Sequence, residues 1–181
     1  MAIVPITVYG DKILRQKAKP VSAVDDSLIE KIKNMLDTMR NANGVGIAAN
    51  QLGYRESVFV IDLKGVEGYE KFKPIIMINP KIVNESDELV KLEEGCLSLP
   101  NLRAEVERPA QIKIRYLDTD EKEKELDADE FFARVILHEY DHLLGKMIPD
   151  RVDEDLKNKL KQELTRIMYR DIEIDYPITE G

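Results

Sequence analysis

The chain contains only two histidines, and they lie four residues apart with a glutamate directly after the first. Residues four apart share one face of an α-helix, so His138 and His142 can bind one metal ion while Glu139 lies beside it. This spacing is typical of a metallohydrolase. The simpler alternative is a pair of histidines on a helix surface, with no metal between them.

Cys96 is the only cysteine, which excludes an intramolecular disulfide. A single cysteine is usually a small buried hydrophobic residue. As a thiolate, however, Cys96 would complete a three-ligand set with His138 and His142 and leave the fourth metal position open for water. A structural zinc site usually has four protein ligands, and the sequence has no further Cys or His to supply the fourth. These residue types therefore favour a catalytic site.

The segment from Gly44 to Gln51 is rich in glycine and alanine. It is not a phosphate-binding loop, because no Lys-Ser or Lys-Thr pair follows its last glycine. It also lacks the preceding strand and third glycine of a dinucleotide-binding loop. The segment is predicted to be a tight loop, or a loop whose bare backbone lies close to a substrate. Gln51 supplies a side-chain amide there.

The elements that must position these groups follow from hydrophobic periodicity. Helices are predicted over residues 27–39, with Ser27 and Glu30 as a capping box, over 128–144, and over 155–169. Strands are predicted at residues 57–61, 75–79, 81–83, 89–92, 104–106 and 111–117. The expected fold class is α+β: antiparallel strands surround a central metal-bearing helix, with an N-terminal helix and a C-terminal helix.

The remaining stretches are predicted to be irregular. Residues 1–24 form an arm broken by proline and glycine, and the charged run 118–130 is most simply a solvated turn. The tail, residues 171–181, is expected to be loosely held.

Length and charge limit the classes of function. A chain of 181 residues suits one domain over residues 1–181. The net charge of −8 argues against general affinity for nucleic acid or anionic lipid, so neither DNA nor a membrane is an expected partner. The N-terminus lacks a basic region followed by a long apolar run, and no stretch approaches the ~20 apolar residues of a bilayer span. We therefore expect a cytoplasmic location.

Three segments together resemble the signature motifs of the peptide deformylase family: residues 44–51, residues 94–98 and residues 138–142. Their order and spacing also agree with that family. The resemblance extends from the arm at residues 14–18 to the last helix, which is similar to that of the bacterial branch with a C-terminal helix. Ile47 and Leu137 depart from the pattern, since leucine and glutamine are commoner there, but neither change removes a catalytic group.

The resemblance implies a hydrolase that removes the N-formyl group from the N-terminal methionine of newly synthesised proteins and releases formate. It implies one divalent metal ion on Cys96, His138 and His142, namely Fe(II) in the cell, with Zn(II), Ni(II) or Co(II) able to substitute. Glu139 would act as general base and then protonate the leaving amine. The Gln51 amide and the Leu97 backbone N–H would stabilise the oxyanion.

The resemblance also implies how the substrate binds. The methionine side chain would enter a pocket near Val45, Glu94, Phe131 and Arg134, and the peptide backbone would pair with Gly46 and Gly95. Arg134 is expected to line this pocket with its aliphatic stem while its charged head reaches solvent.

The ribosome is a possible further partner, because the substrate emerges there. Basic residues occur along the last helix, but acidic neighbours dilute the signal, so a solvated face of mixed charge is favoured. The basic residues are Lys157, Lys159, Lys161, Arg166 and Arg170.

Two other functions use the same residues. The first is a related metal-dependent amidase or peptidase, which a panel of formylated, acetylated and unblocked peptides would distinguish. The second is a non-catalytic, metal-binding module that associates with the ribosome. Glu139 argues against it, because a purely structural site needs no general base.

Overall fold

The computed structural model describes residues 2–181, and no helix within them combines the length and apolar character needed to span a bilayer. Its α+β fold class agrees with the sequence-based prediction. Short 3-10 helices lie at Lys12–Arg15, Ala49–Leu52 and Ile148–Asp150. The longer elements, in chain order, are α1 (Asp26–Asn41), β1 (Gly46–Ala48), β2 (Val58–Ile61), β3 (Ile75–Glu85), β4 (Leu89–Cys96), β5 (Leu99–Pro109), β6 (Gln111–Leu117), β7 (Glu123–Asp129), α2 (Glu130–Leu143) and α3 (Glu154–Met168).

The strands form an antiparallel sheet in the order β1-β2-β3-β6-β7 and a separate hairpin of β4 and β5. Successive residues of a strand point to opposite faces, and both faces of β2 are buried. Phe59 and Ile61 join the core that contains α2, whereas Val58 and Val60 join the core that contains α1. The sheet thus separates the two helices and provides a rigid support for α2.

A third core lies under the β4–β5 hairpin. Buried residues of β5 alternate along the strand at Leu102, Ala104 and Val106, and they pack with the apolar stripe of α3. Leu160 and Leu164 belong to that stripe. This packing connects α3 to the hairpin that carries Cys96.

Helix α1 begins one residue earlier than expected and has a different cap. The Asp25 carboxylate accepts a hydrogen bond from the Leu28 backbone N–H at 2.8 Å, so Asp25 is the N-cap residue. The predicted capping box of Ser27 and Glu30 is therefore wrong. Asp and Ser are both common N-cap residues, so residue type alone does not decide between Asp25 and Ser27.

Helix α2 ends one residue after His142, and a glycine in an unusual conformation follows it. Gly145 follows the helix with a φ of +73°, a left-handed conformation that favours glycine. A Cβ atom at this position would lie 2.6 Å from the Arg15 carbonyl oxygen. The arm at Lys12–Arg15 thus packs against the end of α2, and only glycine fits between them.

The charged run predicted as a turn contains a strand instead. Residues Glu123–Asp129 form β7, which pairs with β6 along its full length, from Gln111↔Asp129 to Leu117↔Glu123. Lys113 and Arg115 of β6 face acidic residues of β7 across the pair. These cross-strand charges and the edge position make a polar strand stable, which residue type alone does not indicate.

Two predicted strands, 75–79 and 81–83, are one continuous strand, β3. Its pairing with β6 shifts register between Ile78 and Lys81, where Asn79 has a φ of +49° and Pro80 follows. Proline has no backbone N–H to donate to a neighbouring strand. It is therefore tolerated where the regular hydrogen bonding between strands is interrupted, as it is here.

The chain termini pack together, so the prediction of a loosely held tail is wrong. Ile6 and Ile178 form a parallel bridge, in which the Ile6 N–H donates to the Pro177 carbonyl oxygen at 2.9 Å. The Thr179 N–H donates to the Ile6 carbonyl oxygen at 3.0 Å. Backbone pairing of this kind depends on long-range contacts that composition does not reveal. The organisation of residues 1–181 as one domain remains a prediction.

Candidate metal centre and active site

The three predicted metal ligands converge in space. Cys96 ends β4, while His138 and His142 lie one turn apart on α2. The Cys96 Sγ and His142 Nε2 atoms are 3.2 Å apart, and the two Nε2 atoms are also 3.2 Å apart. One potential ligand atom from each residue lies within 4.8 Å of the others.

This arrangement fits a metal ion. Ligand atoms bound at about 2.0–2.3 Å around one tetrahedral ion are roughly 3.3–3.6 Å apart, close to the spacing observed. One thiolate and two imidazoles are also a donor set suited to Zn(II) and related divalent ions. The three residues could therefore hold a single ion from one side.

Glu94 fixes the orientation of the first histidine. Its Oε2 atom lies 3.0 Å from His138 Nδ1, and this contact is a hydrogen bond from the ring N–H to the carboxylate. The tautomer so defined leaves the Nε2 lone pair of His138 free to face Cys96 and His142. Such a carboxylate partner fixes the ring of a metal-ligating histidine.

Glu139 lies in the same cleft and is almost fully buried, with 4% of its surface exposed. Burial raises the pKa of Glu139 to about 7. Its Oε2 atom has no hydrogen-bond partner among residues 2–181, although it is buried. A carboxylate with a near-neutral pKa and a free oxygen is suited to transfer a proton at neutral pH.

Gln51 is held with its amide nitrogen towards the cysteine. Its Oε1 atom accepts a hydrogen bond from the Ala48 backbone N–H at 2.8 Å, which sets the direction of the amide. The Nε2 atom donates to Ser98 Oγ at 3.1 Å and lies 3.7 Å from Cys96 Sγ.

The loop prediction for residues 44–51 is wrong in part, because β1 and a 3-10 helix occupy most of this segment.

A cleft of about 500 Å³ opens beside this cluster. Every site residue predicted from the sequence lines it except His142, which lies beneath the other two ligands. The wall also contains residues that were not predicted from the sequence, namely Asn43, Asn101, Arg103 and Tyr176. Their types carry no periodic or motif signal, so only the fold identifies them.

A buried network of charged residues supports Glu94 from behind. Arg108 donates from Nε to Glu94 Oε1 at 2.5 Å and from NH1 to Asp141 Oδ2 at 2.8 Å. Arg151 also donates to the Asp141 carboxylate. Burial alone would raise the pKa of Glu94, but hydrogen bonds from His138 and Arg108 outweigh it and lower that pKa far below its usual range. None of Arg108, Asp141 and Arg151 was predicted as a site residue from the sequence, although Asp141 lies inside the histidine motif.

The charged head of Arg134 does not reach solvent, and that prediction is wrong. The residue is 5% exposed. Its NH1 atom donates to Glu94 Oε1 at 3.0 Å and to the Val106 carbonyl oxygen at 2.7 Å, and its NH2 atom donates to the Val90 carbonyl oxygen at 2.6 Å. Arg134 therefore connects α2 to the hairpin through the Glu94 network, because a buried guanidinium must satisfy its donors within the protein.

Replacing Asp141 with asparagine is expected to lower the free energy of unfolding at pH 7 by roughly 3 kcal/mol, because Arg108 would lose a charged partner inside the protein. Burial would raise the pKa of Asp141, but bonds from Arg151 and the charge of Arg108 lower it below its ordinary value of 3.8. The carboxylate therefore stabilises the fold above about pH 4, and this contribution is lost as the pH falls further.

Urea unfolding of the metal-free proteins at several pH values measures this effect. The difference between wild type and Asp141→Asn should be largest near neutral pH and shrink below pH ~4. Asp127→Asn, at an exposed position of β7, is the control and should change stability little. A difference that stays constant down to pH ~3 would contradict the assignment of the loss to the Asp141 charge.

Comparisons with known proteins agree with this geometry. The family model described as polypeptide deformylase matches residues 3–158. A peptide deformylase of Chlorobium phaeobacteroides is 42% identical over 176 residues, which cover 97% of this chain and 95% of the relative.

Solved structures show the same similarity. A peptide deformylase from Legionella pneumophila is 34% identical with a TM-score of 0.85, covering 94% of this chain and 98% of that one. A peptide deformylase from Synechococcus elongatus, solved in complex with actinonin, is 40% identical with a TM-score of 0.81 and covers 88% of this chain and 85% of that one. The chain belongs to the peptide deformylase family, metal-dependent enzymes that remove the N-formyl group from nascent peptides.

Proposed function

We propose that this chain hydrolyses the formamide bond of N-formylmethionyl nascent peptides with Glu139 as its acid–base residue. The observation that supports this most directly is the convergence of Cys96, His138 and His142 beside the buried Glu139 in one cleft. Removal of the formyl group is the reaction of the family, and in this chain each of these residues would have a distinct role in it.

Cys96, His138 and His142 would hold one divalent ion, with Glu94 orienting His138. A divalent ion bound there would polarise the formyl carbonyl and lower the pKa of water. We propose Fe(II) as the ion in the cell, on the basis of family resemblance, with Zn(II), Ni(II) or Co(II) able to replace it. Zn(II) generally binds nitrogen and sulfur ligands more tightly than Fe(II), and iron can also be lost by oxidation. Keeping the iron therefore requires anaerobic preparation without contaminating zinc.

Glu139 would transfer the proton in both halves of the reaction. As a carboxylate it takes a proton from the water that attacks the formyl carbon. As a carboxylic acid it then returns the proton to the amine nitrogen when the carbon–nitrogen bond breaks. The products are formate and a free methionyl amine, and the pKa near 7 suits both directions of transfer.

Gln51 and Leu97 would stabilise the negative charge that develops on the formyl oxygen. The Gln51 amide is already oriented by Ala48 and Ser98, so it needs no rearrangement when the charge appears. The Leu97 backbone N–H belongs to the residue that directly follows the cysteine. Preorganised donors of this kind commonly contribute about 10²–10³ in kcat.

The substrate would bind as an extended strand. Gly46 lies in β1, at the edge of the five-stranded sheet, and Gly95 lies in β4 of the hairpin. A peptide between them could form backbone hydrogen bonds with both, as in β-strand addition. Val45 and Phe131 line the same cleft and would contact the methionine side chain, while Glu94 and Arg134 form the charged base of the wall.

Specificity for the formyl group would result from lack of space at the reacting carbon. A formyl carbon carries only hydrogen beyond its oxygen and nitrogen, whereas an acetyl carbon carries a methyl group. The Glu139 carboxylate lies so close to the Gly46 backbone that an added Cβ would be only 2.7 Å from Oε1. This contact leaves little room between Gly46 and Glu139, and a narrow space at the reacting carbon would favour the smaller group.

The decisive experiment compares formyl-Met-Ala-Ser, acetyl-Met-Ala-Ser and unblocked Met-Ala-Ser as substrates for protein prepared anaerobically with Fe(II). We expect formate release from the first peptide and no cleavage of the other two. Metal content and turnover per bound ion, measured also with Zn(II), test the choice of ion.

Cleavage of the acetylated or unblocked peptide would instead indicate a broader amidase or peptidase. A metal-loaded protein that releases no formate would refute the proposed activity and favour a binding module.

Two further points concern the setting of the reaction. We propose that the enzyme acts in the cytoplasm, where nascent chains carry the formyl group, and cell fractionation tests this. Contact with the ribosome remains a prediction based on the basic residues of α3, and cosedimentation with ribosomes would test it. Arg166 pairs with Asp171, which reduces the free positive charge of that helix.

A further inference from the structure

The C-terminal segment, residues 171–181, ends against the catalytic cleft. The Tyr176 hydroxyl donates a hydrogen bond to the Leu97 carbonyl oxygen at 2.8 Å, and Tyr176 forms part of the cleft wall. This segment lies beyond residues 3–158, which match the family model. The contact therefore links a region outside that match to the residue proposed to stabilise the oxyanion.

Tyr176 is held in place from both sides along the chain. On one side, the Asn101 Nδ2 atom donates to the Glu173 carbonyl oxygen at 2.9 Å. On the other, Pro177 and Thr179 pair with the backbone of Ile6. These contacts hold the backbone on both sides of Tyr176 and so determine where its side chain lies.

The N-terminal arm extends the same support to the other proposed oxyanion group. The Thr7 N–H donates to the Gln51 carbonyl oxygen at 2.8 Å, and the Tyr9 N–H donates to the Ser98 carbonyl oxygen at 2.9 Å. Gln51 and the backbone around Leu97 are therefore both bonded to the paired termini. The termini act as a clamp that joins the two sides of the oxyanion site.

A hydrogen bond to the Leu97 carbonyl restrains the Leu97 N–H as well, because the two groups flank one Cα atom. Rotation of the Leu97–Ser98 peptide would break the bond from Tyr176, and the bond from the Tyr9 N–H restrains the next peptide unit at the Ser98 carbonyl. The Tyr176 hydroxyl is the donor in this bond, because a carbonyl oxygen can only accept. Donors fixed before the reaction stabilise developing charge without reorganisation.

We propose that Tyr176 is a positioning residue for hydrolysis: its hydroxyl holds the Leu97 backbone so that the N–H faces the reacting carbonyl, and its ring limits the cleft. The proposal rests on the proposed function, in which Leu97 stabilises the oxyanion. The hydroxyl should thus affect kcat, because it acts on the transition state. The ring should affect KM, because it lines the cleft in which the peptide would bind.

The test is Tyr176→Phe, which removes only the hydroxyl, with Tyr169→Phe as the matched control because Tyr169 is 77% exposed. With formyl-Met-Ala-Ser and metal-loaded enzyme, Tyr176→Phe should lower kcat about fivefold to tenfold, the effect of one neutral hydrogen bond, and change KM less than about twofold. Tyr176→Ala should in addition raise KM. Tyr169→Phe should match wild type.

Several results would overturn the positioning role. An active wild type with an unchanged kcat in Tyr176→Phe would refute it, as would a change confined to KM. A fall in kcat that merely follows lost metal or lost folded protein, measured by metal content and thermal unfolding, would also refute it, because that is a purely structural effect. Failure of wild type itself to release formate would refute the proposed function, so the two failures are distinguishable.

Discussion

Replacing Glu139 with glutamine is expected to lower kcat for formate release by about 10³-fold while the metal stays bound. Glutamine has nearly the same shape as glutamate, so the helix and the ligands beside it should be undisturbed. It cannot take a proton from water, however, and it cannot return one to the leaving amine. The two proton transfers would be lost together, and general acid–base catalysis commonly contributes about 10²–10⁴.

The contacts of Glu139 explain why the effect should be confined to activity. Its Oε2 atom is buried without a partner among residues 2–181, so few native hydrogen bonds depend on the charge. Burial also raises its pKa to about 7, which means that the charged form is not strongly favoured by the fold. Removing the charge should therefore leave stability unchanged or slightly increased.

Steady-state formate release and metal content of Glu139→Gln measure this prediction. Glu130→Gln, at an exposed position of the same helix, is the matched control and should retain wild-type activity. Retention of more than about a tenth of wild-type kcat by Glu139→Gln would show that another group transfers the proton. A parallel loss of metal would show that Glu139 supports the ligands instead.

Replacing Gly46 with alanine is expected to lower kcat by about 10²-fold with little change in stability. A Cβ atom at this position would lie 2.7 Å from Glu139 Oε1 and 3.0 Å from its Cγ atom. These atoms belong to a flexible side chain, so the carboxylate can move away at small cost to folding. The displaced carboxylate would no longer be within reach of the attacking water, and displacements of about 1 Å can lower rates that strongly.

Kinetic and thermal measurements on Gly46→Ala separate these two effects. Gly65→Ala is the control, because nothing lies within 4 Å of a Cβ added there. An unfolding temperature close to that of wild type, together with the loss of kcat, would support the steric explanation. Wild-type activity in Gly46→Ala would mean that Glu139 does not need its present position, and the proposed proton transfer would then be in doubt.

Local sequence determined the parts of this protein that depend on short-range chemistry. The four-residue spacing of His138 and His142 places both on one face of a helix wherever that helix lies. Strand β6 was predicted with its observed bounds, because apolar and polar residues alternate from Gln111 to Leu117. The motif residues therefore identified the chemistry without knowledge of the fold.

Elements that are stabilised by other segments of the chain could not be predicted from local sequence patterns. Strand β7 is highly charged, and it is a strand because β6 supplies opposite charges across the pair. Asp25 caps α1, although Ser27 nearby is also of a residue type that can cap, so residue type alone did not identify the cap.

Only the tertiary structure decided which residues support the catalytic groups. Arg108 lies 14 residues from Glu94 in sequence and 33 from Asp141, yet it bonds to both. Tyr176 lies 79 residues from Leu97. Helical periodicity was sufficient to bring His138 and His142 together, because residues four apart lie on one face of a helix. The residues that hydrogen-bond to these catalytic groups depend on the tertiary structure. A buried charge or a backbone carbonyl can be satisfied by any segment of the chain that packs against it.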